Sequence, residues 1–199
     1  MAYYIRVLSP NSDVVASSVL RKALADGGVR ASISGDAEDG AWEELVVADP
    51  SGINVCTIEH TEAEGPGREE IDEFLEEIAD CQPASAAAWL AGYLLTIRSI
   101  YAIQILAGTY KNDGWTIVGT LKDALFGTAG GIMQADNEGF SNEDGYHILW
   151  QFDDDVTGDW WMAVMDNGRW CPFKMELGDH DQREAFFRGE VPTGVETVG

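Results

Sequence analysis

Two short turn sequences constrain the fold most strongly, because each stands between two strand-like runs of apolar residues. The tetrapeptide DPSG at residues 49–52 has proline second and glycine fourth, as a β-turn favours. The tripeptide DNG at residues 166–168 is typical of a two-residue β-hairpin. Such turns join strands that are neighbours along the chain. The sequence therefore predicts antiparallel sheets.

The order of the remaining elements argues against a doubly wound parallel sheet. A strand-like run at residues 3–8 precedes a stretch, residues 15–24, whose apolar positions recur at helical spacing. Three short strand-like runs follow, and then an amphipathic helix is predicted over residues 68–80. Because single strands and helices do not alternate, we expect an α+β fold with antiparallel sheets covered by helices.

The two halves of the chain share one order: strand, helix, three or four antiparallel strands, helix. The run IRVL at residues 5–8 matches IQIL at residues 103–106. Either this is an internal repeat, or two similar orders arise by chance within one compact domain. The corresponding predicted parts are a first α+β unit at 1–82, a connecting helix at 83–98, a second α+β unit at 99–190 and a flexible tail at 191–199.

The charge of the chain restricts its partners. Thirty-five acidic residues against 12 basic ones give a net charge of −23. Such a charge repels phosphate backbones and anionic lipids, so nucleic acid and membranes are disfavoured. It favours a basic protein partner, cations or simple solvation. The longest apolar run, residues 86–97, is shorter than the ~20 residues of a membrane span, and no signal peptide precedes it. A cytoplasmic location is expected.

Reactive side chains are few and scattered. Cys56, Cys81 and Cys171 are odd in number and widely spaced, which argues against disulfides and against a zinc site. The three histidines have no second ligand at metal-binding spacing. Common catalytic and nucleotide-binding motifs are absent from the sequence. We therefore predict no catalytic residue and no cofactor.

The densest acidic cluster lies in QFDDDVTGDWWMAV, residues 151–164. Asp153, Asp155 and Thr157 form a D-x-D-x-T pattern that resembles the first motif of haloacid-dehalogenase-type phosphotransferases, and also the start of a calcium loop. The parallel units that the first family needs do not follow, and Val164 stands where the calcium loop needs a glutamate. The favoured interpretation is an exposed polar hairpin connection between two aromatic-rich strands.

A docking surface is the main functional prediction. Acidic side chains steer the encounter with a basic partner, and an exposed tryptophan anchors the complex. The alternative is a merely solvated acidic face. The predicted surface comprises Glu69, Glu73, Glu76, Glu77, Asp153, Asp154, Asp155 and Trp160. The expected function is that of a non-enzymatic bacterial protein-binding module, of the kind that immunity proteins and nuclease inhibitors represent.

One enzymatic alternative rests on element order. A tandem βαβββ order is similar to that of the vicinal oxygen chelate superfamily, which includes glyoxalases. That similarity implies metal ligands on the first and last strand of each module, here Glu59, Gln104 and Glu176, while the fourth position falls on Arg6. Because Arg6 does not ligate metals, the alternative is a metal-dependent or small-ligand-binding module with an incomplete ligand set. The sequence leaves the oligomeric state open.

Overall fold

The computed structural model of this chain describes residues 2–35 and 42–198. The strands are β1 (Tyr3–Ser9), β2 (Ser32–Ser34), β3 (Glu44–Ala48), β4 (Asn54–Glu62), β5 (Ser99–Ile105), β6 (Ile132–Ala135), β7 (Gly139–Ser141), β8 (His147–Trp150), β9 (Asp159–Asp166), β10 (Arg169–Glu176) and β11 (Glu196–Thr197). The α-helices are α1 (Ser17–Asp26), α2 (Pro66–Glu77), α3 (Ala84–Leu94), α4 (Gly114–Ala129) and α5 (His180–Phe187).

The described chain divides into two compact units. Unit 1 contains residues up to 68 together with 97–136, and unit 2 contains 69–96 together with the residues from 137 onward. The strand β1 pairs with β5 and β6, which come from the other half of the predicted repeat. An internal duplication remains a prediction.

The sheet of unit 1 has the order β6-β1-β5-β4-β3-β2, with antiparallel neighbours throughout. The DPSG turn joins β3 to β4, as predicted. The Asp49 carboxylate accepts hydrogen bonds from the backbone N–H groups of Ser51 (2.8 Å) and Ile53 (3.0 Å). Gly52 adopts a φ of 85°, which favours glycine. The turn is therefore encoded locally.

The core of unit 1 lies between one face of this sheet and the helices α1 and α4. Alternation along β4 and β5 places Ile58 and Ile103 on that face, where both are fully buried. From the helices, Leu20, Leu121 and Leu125 pack into the same cluster. Fully burying each of these aliphatic side chains contributes about 1.5–3 kcal/mol. The helices thus cover the sheet on this face.

The sheet of unit 2 has the order β7-β8-β9-β10-β11. The DNG sequence makes the predicted hairpin between β9 and β10, with φ values of 48° at Asn167 and 77° at Gly168. One side of this pair packs on α5 through Phe173 and Phe186. On the other side, Trp170 meets Trp89 of α3 at 5.0 Å between ring centroids. Both faces of the hairpin are therefore covered at its centre, where Met162 and Ala163 are fully buried.

The connection between β8 and β9 differs from the prediction. The two strands pair in parallel, with His147 opposite Met162, so residues 151–158 are not a hairpin loop. For β9 to run parallel to β8, the connection must lead the chain from the end of β8 back to the level of its start. This distance is about 13 Å, because β8 has four residues. The eight residues of the connection span that distance easily. Alternation of apolar residues predicted the strands correctly, but it carries no information on their relative direction.

The chain after α5 adds a short strand where a flexible tail is predicted. Residues Glu196–Thr197 form β11, which pairs with β10 opposite Lys174 and Phe173. Val195 packs against the core of unit 2. Together, the helices and the predominantly antiparallel strands confirm the predicted α+β class.

Candidate functional site

The segment between β8 and β9, residues 151–158, is here called the acidic loop. The side chains of Asp153, Asp154 and Asp155 are exposed on it. Arg183 of α5 fixes one side of the loop. Its Nη1 donates to the carbonyl oxygen of Asp154 at 3.1 Å, while its Nε and Nη2 donate to the carbonyl of Leu177 at 3.2 and 2.7 Å. One guanidinium therefore ties the loop to the end of β10.

The same guanidinium also packs on an aromatic ring. The Arg183 Cζ lies 4.7 Å from the ring centroid of Trp150, the last residue of β8. A guanidinium over an indole gains about 0.5–2 kcal/mol, depending on its exposure. The donors of a guanidinium lie in one plane at fixed angles, so the side chain can make several hydrogen bonds while it stacks on a ring. Arg183 makes both kinds of contact. This side chain is consequently a rigid support for the loop.

Glu176 holds the opposite end of the acidic loop. Its Oε1 accepts hydrogen bonds from the backbone N–H groups of Gly158 and Gly178, the latter at 3.1 Å. The backbone N–H of Leu177 donates to the carbonyl of Gly158 at 2.9 Å. Hydrogen bonds to a charged acceptor are stronger than neutral ones. The Glu176 carboxylate is therefore engaged in anchoring the loop.

The three carboxylates of the acidic loop, unlike that of Glu176, face solvent. Among the described residues, no hydrogen bond or ion pair engages the side chains of Asp153, Asp154 or Asp155. Arg183 and Glu176 hold the backbone of the loop, and both contacts leave these carboxylates facing solvent. The result is a fixed loop that presents three adjacent negative charges. Such an arrangement attracts cationic groups.

Trp160 stands two residues beyond the loop, on β9. Its side chain is 38% exposed, and its ring contacts Phe152 and His147 at centroid distances of 5.3 and 6.3 Å. The neighbouring Trp161 points to the opposite face and contacts Tyr146. Of these two tryptophans, Trp160 is therefore the one on the side of the sheet where Phe152 packs.

His147 lies beneath this region and is buried, with 3% of its surface exposed. Its ring lies 4.8 Å from that of Phe152, and its Nε2 has no hydrogen-bond partner in the described structure. Burial lowers the pKa of His147 to about 4, although hydrogen bonds with the backbone of Leu149 and Glu138 oppose the shift. The neutral ring acts as an apolar support under Trp160 and Phe152.

The predicted acidic face of α2 is also exposed. Glu69, Glu73, Glu76 and Glu77 all face solvent. On the other side of the helix, Phe74 meets Phe140 of β7 edge-to-face at 5.6 Å. The predicted surface residues thus lie on two elements of unit 2, and the contacts above attach them to different strands. We treat them as two acidic surfaces.

Gln104 and Arg6, two residues of the enzymatic alternative, have structural partners. Thr57 donates to the Gln104 Oε1 at 3.4 Å, on the sheet face opposite the helices. Arg6 donates to Gln134 at 2.7 Å and pairs with Asp136 at 2.6 Å. Across residues 2–35 and 42–198, no three or more His, Cys, Asp or Glu side chains are grouped to hold a metal ion. The geometry gives no metal centre to assign.

Cavities in unit 1 were not predicted from the sequence. One, of about 590 Å³, is lined by Val14, Thr61, His60 and the glutamates Glu43, Glu44, Glu59 and Glu62. Burial lowers the pKa of His60, while the charge of Glu62 opposes the shift. Residues 59–62 are consecutive on β4, and the register that places Glu44 of β3 opposite Glu59 brings the two strands' side chains together.

The second cavity has a volume of about 560 Å³ and is here called the α1–α4 cavity. Its wall combines the end of α1, the DPSG turn and the beginning of α4. It is lined by Gly27, Gly28, Val29, Arg30, Asp49, Pro50, Ser51, Asn112, Asp113, Thr116 and Ile117. Asn112 and Asp113 read as helix-capping residues in the sequence, yet the Asp113 side chain makes no capping hydrogen bond. The Asp113 carboxylate is therefore available to a ligand, which the sequence alone did not indicate.

Comparison with protein-family models, with curated proteins and with solved structures gave no match to this chain. No helix among the described residues combines the length and the apolar character needed to cross a membrane.

Proposed function

We propose that this protein is a non-enzymatic binding module that docks a basic protein partner on the acidic loop and Trp160. The observation that carries the proposal is the pairing of three solvent-facing carboxylates with a half-exposed tryptophan, on a loop that Arg183 and Glu176 hold in place. On this proposal the protein is bacterial and cytoplasmic, and it acts as an immunity protein or inhibitor does.

The net charge of −23 supports the choice of a basic partner. A strong field of one sign raises the association rate of an oppositely charged partner, and this effect falls as salt increases. The exposed glutamates of α2, Glu69, Glu73, Glu76 and Glu77, add to that field. They act in steering, and we assign the contacts of the complex to the loop.

Rigid presentation supports the choice of the loop. Ordering a flexible loop upon binding costs free energy, and a loop already fixed in its bound shape avoids that cost. Arg183 and Glu176 fix this loop through its backbone, so its carboxylates remain available to lysine or arginine side chains. This arrangement favours a specific contact over diffuse attraction.

Trp160 supplies the apolar anchor of the proposed contact. Tryptophan and arginine are the residue types most enriched at interface positions that dominate binding. An arginine of the partner that stacks on Trp160 would lie beside the acidic loop, which ends two residues before it. The side chain of Asp159 alternates to the other face of β9, the face of Trp161. Lys174 already pairs with Asp159 at 2.8 Å, which leaves the loop carboxylates as the main acidic contacts.

Affinity capture from the native lysate tests the proposal at about 50 and 200 mM salt, where screening differs strongly. The loop variant carries Asp153→Asn, Asp154→Asn and Asp155→Asn. The matched control changes charge equally through Asp13→Asn, Glu64→Gln and Asp144→Asn, three exposed acids outside the surface. We expect the wild type and the control to retain one basic protein that the loop variant loses.

A second variant separates the anchor from the charges. Trp160→Ala removes the ring without altering the net charge, and we expect it to weaken binding by about 2 kcal/mol, or roughly 30-fold. Trp161→Ala, on the other face of β9, serves as its control. If the loop variant and Trp160→Ala both bind the basic partner as strongly as the wild type does, the docking surface lies elsewhere on the protein.

A further inference from the structure

The α1–α4 cavity has the mixed character of a small-molecule site. Its volume of about 560 Å³ falls within the ~300–1,000 Å³ typical of such sites. One part of its wall is apolar and comes from Val29, Pro50 and Ile117. The remainder is polar, and it comes from three separate segments of unit 1. A ligand with one apolar face and several polar groups fits this wall.

The polar side chains of the cavity are available to a ligand. Among the described residues, no hydrogen bond or ion pair engages the side chains of Arg30, Asn112, Asp113 or Thr116. Together they supply guanidinium, amide, carboxylate and hydroxyl groups, which are donors and acceptors of several geometries. Such a set matches a ligand that carries many hydroxyl groups, each of which donates and accepts.

The charges of the wall argue against an anionic ligand. Among the described residues that line the cavity, Asp49 and Asp113 oppose one cation, Arg30. The hydrogen bonds from Ser51 and Ile53 lower the pKa of Asp49, so its carboxylate remains ionised at neutral pH. A phosphate or carboxylate group would meet two negative charges here, within a chain whose net charge is −23. A neutral ligand avoids this repulsion.

Two exposed aromatic residues flank the segment that contributes Asn112 and Asp113. Tyr110 is 68% exposed and Trp115 is 46% exposed, and their rings meet edge-to-face at 5.7 Å. Aromatic rings have a large apolar face with a polar edge, and they usually bury that face. The C–H face of a pyranose ring packs against such a surface, while its hydroxyl groups reach polar neighbours.

We propose that the α1–α4 cavity is a binding site for a neutral pyranose sugar that extends from the cavity to Tyr110 and Trp115, which flank the lining residues Asn112 and Asp113 in the sequence. The polar side chains Asn112, Asp113 and Thr116 hydrogen-bond its hydroxyl groups, and the aromatic pair packs on its C–H face. This site lies in unit 1 and shares no residue with the docking surface proposed for unit 2.

Ligand-observed saturation-transfer NMR tests this site with glucose, galactose, mannose and N-acetylglucosamine as probes. We expect saturable binding of at least one sugar, with a Kd of about 1–10 mM, as is usual for weak small ligands. Tyr110→Ala, Trp115→Ala and Asp113→Asn should each weaken it by about tenfold or more. Trp161→Ala, an exposed tryptophan of unit 2, and the loop variant should bind the sugar normally.

Thermal unfolding of each variant shows whether it is folded, and the exposed positions of Tyr110 and Trp115 make large losses unexpected. If Trp115→Ala is unstable, Trp115→Leu and Asp113→Asn carry the same test. Absence of binding by all four sugars up to about 100 mM would overturn the proposal. Equal binding by the wild type and by Trp115→Ala or Asp113→Asn would do so too.

Discussion

Acidification should destabilise the protein through His147. This side chain is 97% buried, since only 3% of it is exposed, and burial lowers its pKa from 6.5 to about 4. Between those two values the unfolded chain binds more protons than the folded one. The contribution of the neutral His147 to the free energy of unfolding is therefore fully present well above pH 6.5. This contribution is lost as the pH falls from 6.5 towards 4.

The linkage relation gives the magnitude. With an unfolded pKa of 6.5 and a folded pKa of about 4, the free energy of unfolding falls by about 2 kcal/mol between pH 8 and pH 5. It falls by about 3 kcal/mol in total once the pH is well below 4. This is a large share of the ~5–15 kcal/mol that stabilises an ordinary domain.

Urea unfolding at pH 8, 7, 6 and 5 measures the effect in the wild type and in His147→Gln. The difference between these proteins isolates His147, because both carry the same carboxylates. His180→Gln is the matched control, since the His180 side chain is 82% exposed. We expect the wild type to lose about 2 kcal/mol relative to His147→Gln from pH 8 to pH 5. Parallel pH profiles of the two proteins would refute the assignment.

Three further substitutions test the supports of the fold. Glu176→Ala should lower the free energy of unfolding by about 2 kcal/mol, because it leaves the N–H groups of Gly158 and Gly178 without their charged acceptor; Glu196→Ala, on β11, is the control in urea unfolding. Arg183→Lys should cost about 1–3 kcal/mol and increase amide hydrogen exchange in the acidic loop, because a lysine does not reproduce the fork of donors. Asp49→Ala should cost about 1–2 kcal/mol, because the DPSG turn loses its side-chain acceptor. Unchanged stability in any of the three would show that its hydrogen bonds contribute little.

Local signals in the sequence predicted much of the fold. The DPSG and DNG turns depend on residues a few positions apart, so their chemistry is visible in the sequence. The amphipathic helix predicted over residues 68–80 forms as α2 and the helical turn that follows it, and together they bury Ile71, Phe74 and Ile78. These features require no knowledge of distant strands.

Features that depend on long-range pairing were not predicted. The parallel pairing of β8 and β9 follows from how the chain returns between them, which apolar alternation does not encode. The pairing of β1 with both β5 and β6 likewise joins residues about 100 or more positions apart. Sequence order alone suggested two similar tandem halves.

The exposure of the acidic residues was predicted from the sequence, and their role in docking stays a prediction. The acids of the loop and of α2 are exposed, as a charge-rich composition indicates. The supports of the loop were missed, because Arg183 and Glu176 bind backbone groups that any sequence supplies. The α1–α4 cavity was missed for a related reason, since its wall combines three segments that only the packed fold brings together.

Hydrogen exchange of the complex with the captured basic partner tests the central claim most directly. The proposal predicts slowed exchange in residues 151–160 upon binding, strongest in the acidic loop, and no comparable change at the α1–α4 cavity. Protection confined to α2 or to unit 1, with the loop unchanged, would contradict the proposed docking surface.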